Sequence, residues 1–213
     1  MLPKQEVWGK IMSSLGINNN DDILIYDNSD LKSSCRLWFS LLYFGHDEKK
    51  IHILNGGLKK WIFENKPITK LTTEIIKSNY VTNEKENLVV SFDQIKKNIL
   101  SKSFNVIDAR SLERFEGKVS EPRKGLRSGH IQNSFCLPFN QCINQKTGEF
   151  KNLKELRELF NQNENIEKRL DPVFTCGSGV TAAVLAYAYK MVNNDYIPKI
   201  YDGSWSEYGK YPA

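Results

Sequence analysis

Val173-Phe174-Thr175-Cys176-Gly177-Ser178-Gly179-Val180-Thr181 is the stretch whose reading decides the fold. It reads as a short buried strand, one cysteine, a glycine-spaced loop, and then a helix over residues 181–191. The unpaired N–H groups of a first helical turn point back toward such a strand end. They favour a thiolate there, and the thiolate is the nucleophilic form. Gly177 and Gly179 let the loop curl around the sulfur as an anion-binding nest. A cysteine taken alone reads as a small buried hydrophobe. The order strand, Cys, Gly-x-Gly, helix makes the nucleophile the better reading.

A loop of this shape also cradles phosphate in cysteine phosphatases, but those close it with an arginine. Position 182 is Ala182, and no arginine follows Cys176. No Gly-Lys-Ser/Thr occurs either, so a Walker-type phosphate loop is absent.

Upstream of the cysteine the pattern alternates strands with helices. Leu88-Val89-Val90 reads as a strand, and Ser91-x-x-Gln94 as a capping box that starts a helix running toward Leu100. Residues 105–108 form a strand, and residues 114–129 a long loop of the kind that carries function. Residues 135–138 form another strand. Asn152 caps a helix over residues 153–160, with Leu153, Leu156 and Leu159/Phe160 on one face. Such alternation predicts an α/β fold with a largely parallel sheet and ligands at the carboxyl ends of its strands.

Cys176-Gly-Ser-Gly-Val-Thr181 resembles the active-site loop of 3-mercaptopyruvate sulfurtransferases, in the two-domain rhodanese superfamily. Relatives that use thiosulfate carry Cys-Arg-Lys-Gly-Val-Thr; Gly177 and Ser178 replace those cations here. Val106-Ile107-Asp108-Ala109-Arg110, Arg114-Phe115-x-Gly117, Glu121-Pro122-Arg123, Ser128-Gly129-His130-Ile131 and Tyr201-Asp202-Gly203-Ser204-Trp205-Ser206-Glu207-Tyr208 follow in the family's order. The match covers roughly residues 85 to 210.

The resemblance implies a rhodanese-like parallel sheet flanked by helices, and sulfur transfer through a Cys176 persulfide with release of pyruvate. It implies that Arg114 and Arg123 grip the donor's carboxylate and ketone, a task suited to the planar guanidinium fork. Gly177, Gly179, Val180 and Thr181 line the substrate loop, and Ser178 is a catalytic serine whose hydroxyl donates to the thiolate or persulfide. The donor is a small molecule and the acceptor a thiol, such as thioredoxin or a small thiol, or cyanide. No metal and no cofactor are called for. The alternatives are a thiosulfate sulfurtransferase, or an inactive remnant or persulfide carrier.

The chain also contains an internal repeat. Strand 23–26, a helix over 32–45, strand 51–54, a Gly56-Gly57 turn and a helix over 58–64 mirror the plan around Cys176. Asp27 stands where Cys176 stands, so this copy lacks the nucleophile. The expected organisation is a partial, non-catalytic rhodanese-like domain over 1–66, a polar linker over 67–87 opened by Pro67, and a catalytic domain over 88–213. Met1-Leu2-Pro3 is similar to the family's His-Met-Leu-Pro, which implies a start just after a histidine proposed for proton handling. The copy's unpaired strand edges would then pack on the complete domain, pair with another copy, or stay poorly ordered.

Composition sets the outer bounds. With 213 residues and 40% hydrophobic content a packed core is affordable. The net charge of +5 is interspersed rather than gathered in a stripe, which argues against nucleic acid and suits an anionic substrate. No apolar run is long enough to span a membrane, and no signal-peptide pattern opens the chain. Cys35, Cys136, Cys142 and Cys176 show no metal-ligand spacing and read as thiols of a reducing cytoplasm, with a mitochondrial location left open. Of the three histidines, His46 and His130 read as structural, and His52 is given no role.

Overall fold

A computed structural model of the protein describes residues 1–162 and 169–212. The chain divides into two compact units: residues 2–86 with 147–149, and residue 1 with 87–146 and 150–213.

The first unit opens with helix α1, Gln5–Ser14, which sequence reading did not anticipate. Its buried residues, Trp8 and Met12, are four apart and so share one face. Trp8 stacks on Phe44 at 4.8 Å between ring centroids. Strand β1, Ile23–Ile25, leads to helix α2, Lys32–Tyr43, then to strand β2, Ile51–Ile53, and helix α3, Gly57–Phe63. The two strands pair in parallel, Ile23 opposite Ile51 and Ile25 opposite Ile53. Leu24 and Tyr26 on the strand face remain exposed.

Residues 66–85 have no helix or strand, yet they are strapped onto this unit. Ser78 N donates to Ser13 O, Asn83 N to Phe44 O, and Lys85 N to Tyr43 O. Tyr80 Oη lies 3.1 Å from Nδ1 of the buried His46, whose Nε2 lies 2.9 Å from Asp21 O. His46 thus holds the end of α2 and the strap together.

The second unit carries helix α4 (Phe92–Ser101), strand β3 (Asn105–Asp108), a one-turn helix α5 (Leu112–Phe115), strand β4 (Ser134–Cys136), helix α6 (Leu153–Asn161), strand β5 (Pro172–Thr175), helix α7 (Val180–Val192) and helix α8 (Ser204–Tyr208). The expected capping box of Ser91 with Gln94 is present, and the expected Asn152 cap is itself a capping box, completed by Glu155. The sheet order is β4-β3-β5, all parallel, with Asp108 opposite Cys136 on one side and Thr175 on the other.

Two expectations are corrected in detail. The strand expected over residues 88–90 is only a bridge, Val89 with Ile200, and Ile200 in turn bridges Phe174. The Ser91 cap turns the chain into α4 at once, and Pro198 offers no N–H to lengthen the ladder. Leu153, expected on the buried face of α6, is 42% exposed while Leu156 and Leu159 are buried. It is the first residue of the helix, beyond the reach of the core.

The sheet is covered on both sides. Val90, Ile95, Val106, Ile131, Val173, Tyr201, Trp205 and Tyr208 form one buried cluster. The Ala182-Ala183-Val184-Leu185-Ala186 run of α7 is fully buried. Each large apolar side chain sealed this way contributes about 1.5–3 kcal/mol. All three strands point their carboxyl ends the same way, and Asp108 and Thr175 finish side by side.

Candidate active site

Cys176 follows β5 directly and is 2% exposed. A loop N–H, that of Ser178, donates to its Sγ at 3.4 Å. Gly179 takes the left-handed conformation, φ +77°, as the cap of α7, which turns the chain sharply around the sulfur. The other side of the loop is clamped by residues 201–206. Trp205 N donates to Cys176 O and Ser206 N to Gly177 O, both at 2.9 Å. Cys176 N donates to Ser204 Oγ at 3.2 Å, and that hydroxyl donates to Tyr201 O at 2.8 Å.

Arg114, Pro122, Arg123, Cys176, Gly177, Ser178, Val180 and Thr181 line one cleft of about 430 Å³. The geometry therefore brings together all the residues singled out from sequence except Gly179, which shapes the loop from behind. Arg114 projects from α5, not from an unstructured loop. Arg123 Nη2 donates to Ser178 Oγ at 3.1 Å. A Cβ on residue 177 would sit 3.1 Å from Arg114 Nη2 and 3.5 Å from Arg123 Nη1, so both guanidinium groups lean over the glycine next to the sulfur.

Sequence reading missed what stands behind Arg114. Its Nε and Nη2 donate to the two oxygens of Glu121, at 3.1 and 2.6 Å. Glu121 Oε1 also accepts from Arg110 Nη1 at 2.8 Å. Arg110 is bonded to Asp108 through Nε and Nη2 and stacks 4.4 Å over the Trp205 ring. Burial works to raise the Glu121 carboxyl, but the Arg114 bond and the charges of Arg114 and Arg110 outweigh it and hold it below its usual range. Burial likewise works against the Arg110 charge, and Asp108 with Glu121 more than restores it. Asp108-x-Arg110 at a strand end was the available signal; the partner of Glu121 was not readable from spacing.

The other cysteines differ in kind. All four are free thiols. Burial pushes the Cys142 thiol up to about 12. Cys136 is also pushed up to about 12, by burial first and the Asp108 charge second. Neither is a nucleophile near neutral pH. His130 is structural: Nδ1 lies 2.8 Å from Phe115 O, and its ring stacks on Phe115. Among the described residues no group of His, Cys, Asp and Glu is placed to hold a metal ion, and no helix is long and apolar enough to cross a membrane.

A strand-end cysteine in a curled loop, on a parallel sheet with helices on both faces, is the arrangement of a rhodanese fold. The chain belongs to the rhodanese family: the rhodanese-like domain matches residues 1–64 and 91–211. It is 34% identical to the mitochondrial thiosulfate/3-mercaptopyruvate sulfurtransferase 1 of Arabidopsis thaliana, over all of this chain and 60% of that protein. It is 34% identical to the 3-mercaptopyruvate sulfurtransferase of Homo sapiens, over 98% of this chain and 69% of that protein. The crystal structure of SseA from Escherichia coli, described as a 3-mercaptopyruvate sulfotransferase, matches with a TM-score of 0.84 at 31% identity, covering 97% of this chain and 75% of that one. This chain thus spans 60% to 69% of the length of these two curated relatives.

Proposed function

We propose that this protein is a sulfurtransferase that moves the sulfur of 3-mercaptopyruvate through a persulfide on Cys176 to a thiol acceptor. The observation that carries the reading is the cleft in which Arg114 and Arg123 lean over Gly177, beside a sulfur that accepts the Ser178 N–H.

The Cys176 thiolate attacks the donor's sulfur. An S–S bond forms, the C–S bond breaks, and its electron pair stays on carbon as the enolate of pyruvate. The enolate takes up a proton and leaves, and Cys176 carries one added sulfur. The arginines hold the carboxylate and the ketone oxygen, where negative charge grows as the bond breaks. The Ser178 hydroxyl and N–H stabilise the persulfide. An acceptor thiolate, from thioredoxin or a small thiol, then attacks the outer sulfur and releases the Cys176 thiolate. This is ping-pong covalent catalysis and calls for no metal or cofactor.

We read residues 88–213 as the catalytic domain, residues 1–66 as its non-catalytic copy and residues 67–87 as the connection, with the cytoplasm as the first compartment to test and the mitochondrion as the second. Thiosulfate is the second candidate donor, because some relatives are named for both donors and others for thiosulfate alone. Gly177 and Ser178 stand where the loop of thiosulfate-using relatives carries its own cationic pair, which favours mercaptopyruvate.

The test is pyruvate release from 3-mercaptopyruvate with a thiol acceptor, run beside thiosulfate with cyanide. Pyruvate that depends on Cys176 is the expected result. A clear preference for thiosulfate would reassign the donor, and no turnover with either by the folded chain would make it a carrier or an inactive remnant.

A further inference from the structure

We infer that Glu121 is a positioning residue that fixes the direction from which Arg114 meets an anionic sulfur donor. This rests on the sulfurtransferase reading above and adds to it a residue that never touches the substrate.

Four alternating charges run inward from the cleft. Arg114, 24% exposed at its side chain, is gripped by Glu121; Glu121 is gripped by Arg110; Arg110 is gripped by Asp108 at the end of β3. The last three side chains are each 1% exposed. Burying such groups costs desolvation, and a leucine-like filler at position 121 would cost less. The bonding pattern gives the carboxylate a directional use. Glu121 takes Arg114 by a two-pronged contact, and a two-pronged contact fixes the guanidinium plane where a single bond would leave it free to turn. Glu121 itself cannot swing, because Oε1 is shared with Arg110. Arg110 is held in turn by Asp108, by Gly129 O at 2.8 Å, and by the face of Trp205.

Trp205 N donates to Cys176 O, so the same buried arginine braces both the nucleophile loop and, through Glu121, the substrate arginine. Arg123 is mounted differently. It bonds Ser178 Oγ and no carboxylate among the described residues. The pair is therefore mounted in two ways: Arg123 is tied to the nucleophile loop by one hydroxyl bond, while Arg114 shares its guanidinium with a buried carboxylate and gains a fixed edge. α5, only one turn long, could not hold that edge without Glu121.

A double-mutant cycle tests the inference. Glu121→Gln should lower kcat/KM for 3-mercaptopyruvate on the order of 10²-fold, the cost of a misplaced binding group. Hand-off of sulfur from a preformed persulfide to a small thiol should change less than about twofold, because it does not use the donor's carboxylate. In an Arg114→Ala background the same Glu121→Gln change should cost less than about twofold, since Glu121 acts through Arg114. Glu121→Asp, which keeps the charge, should recover part of the loss. Equal losses in both backgrounds would overturn the inference and make Glu121 a general support.

An independent readout needs no turnover. The Arg114 Nε–H resonance, assigned by its absence in Arg114→Lys, should be protected from solvent exchange in the parent chain and unprotected in Glu121→Gln. Unchanged protection would overturn the inference even if the chain turns over no donor at all, a result that would separately count against the sulfurtransferase reading.

Discussion

Asp27 and Cys176 occupy the same place in two copies of one frame. After β1, Leu54 N donates to Ile25 O at 2.8 Å and Leu58 N to Asp27 O at 2.9 Å. After β5, Tyr201 N donates to Phe174 O and Trp205 N to Cys176 O, each at 2.9 Å. Each copy enters its helix through a left-handed cap, Leu31 at φ +63° and Gly179 at φ +77°. The contents differ. The Asp27 carboxylate fills its own nest: it accepts from Leu31 N at 3.2 Å, Ser34 N at 2.8 Å and Ser29 Oγ at 2.8 Å. Burial works to raise this carboxyl, but the Ser34 and Ser29 donors outweigh it and hold it below its usual range. Cys176 accepts one loop N–H at 3.4 Å, beside an open cleft lined by two arginines. A strand–loop–helix turn is thus a cradle for negative charge; a built-in carboxylate makes it a structural knot, and a thiol makes it a site for incoming chemistry.

The largest effect should come from exchanging the two readouts. Cys176→Ser should reduce pyruvate release by at least about 10³-fold, the scale expected on removing a covalent nucleophile, with an unchanged melting temperature. Asp27→Ala should do the reverse, costing about 1–3 kcal/mol of stability by denaturant titration while Cys176 still accepts sulfur. An Asp27 variant that kept full stability would break the comparison.

Acid sharpens it. A carboxyl held below its ordinary value contributes stability that is complete above that value and lost as pH falls through the folded one. For Asp27 and Glu121 the ordinary values are 3.8 and 4.5. Stability should therefore be level above about pH 5 and fall below about pH 4.5, and Asp27→Ala should flatten the lower part of that fall.

The smallest effects concern the positive-φ residues of the two loops. Gly179→Ala should cost about 1–2 kcal/mol, because its φ of +77° crowds any Cβ. Asp30→Gly, at φ +55° on the exposed loop of the first copy, should stay within about 0.5 kcal/mol, since relieved strain offsets lost chain stiffness. A larger cost at Asp30 than at Gly179 would mean that the two loops are not built alike.

Much of this was legible in the sequence because it is local. The Ser91-x-x-Gln94 box, the Asn152 cap, the helix after the Cys176 loop, and the equivalence of Asp27 to Cys176 in the repeat all follow from short spacings. What escaped is set by tertiary partners. Helix α1 has only Trp8 and Met12 on its buried face, too sparse a pattern to announce itself. The stretch 67–87 reads as a polar linker, yet it is fixed by hydrogen bonds from Ser78, Asn83 and Lys85 N–H groups to the ends of α1 and α2, which leave no trace in residue type. Glu121 stands out only as part of the family-like Glu121-Pro122-Arg123 segment; its partners do not, since nothing in spacing chooses Arg110 and Arg114 from a chain of 30 cations.

The central claim is that one of four thiols carries the sulfur. The direct measurement is the intact mass of the chain after 3-mercaptopyruvate in the absence of an acceptor, followed by peptide mapping. One added sulfur atom, on the peptide containing Cys176 and removed by a thiol, is the predicted result. Added sulfur on Cys35, Cys136 or Cys142, or pyruvate released with no sulfur on Cys176, would contradict it.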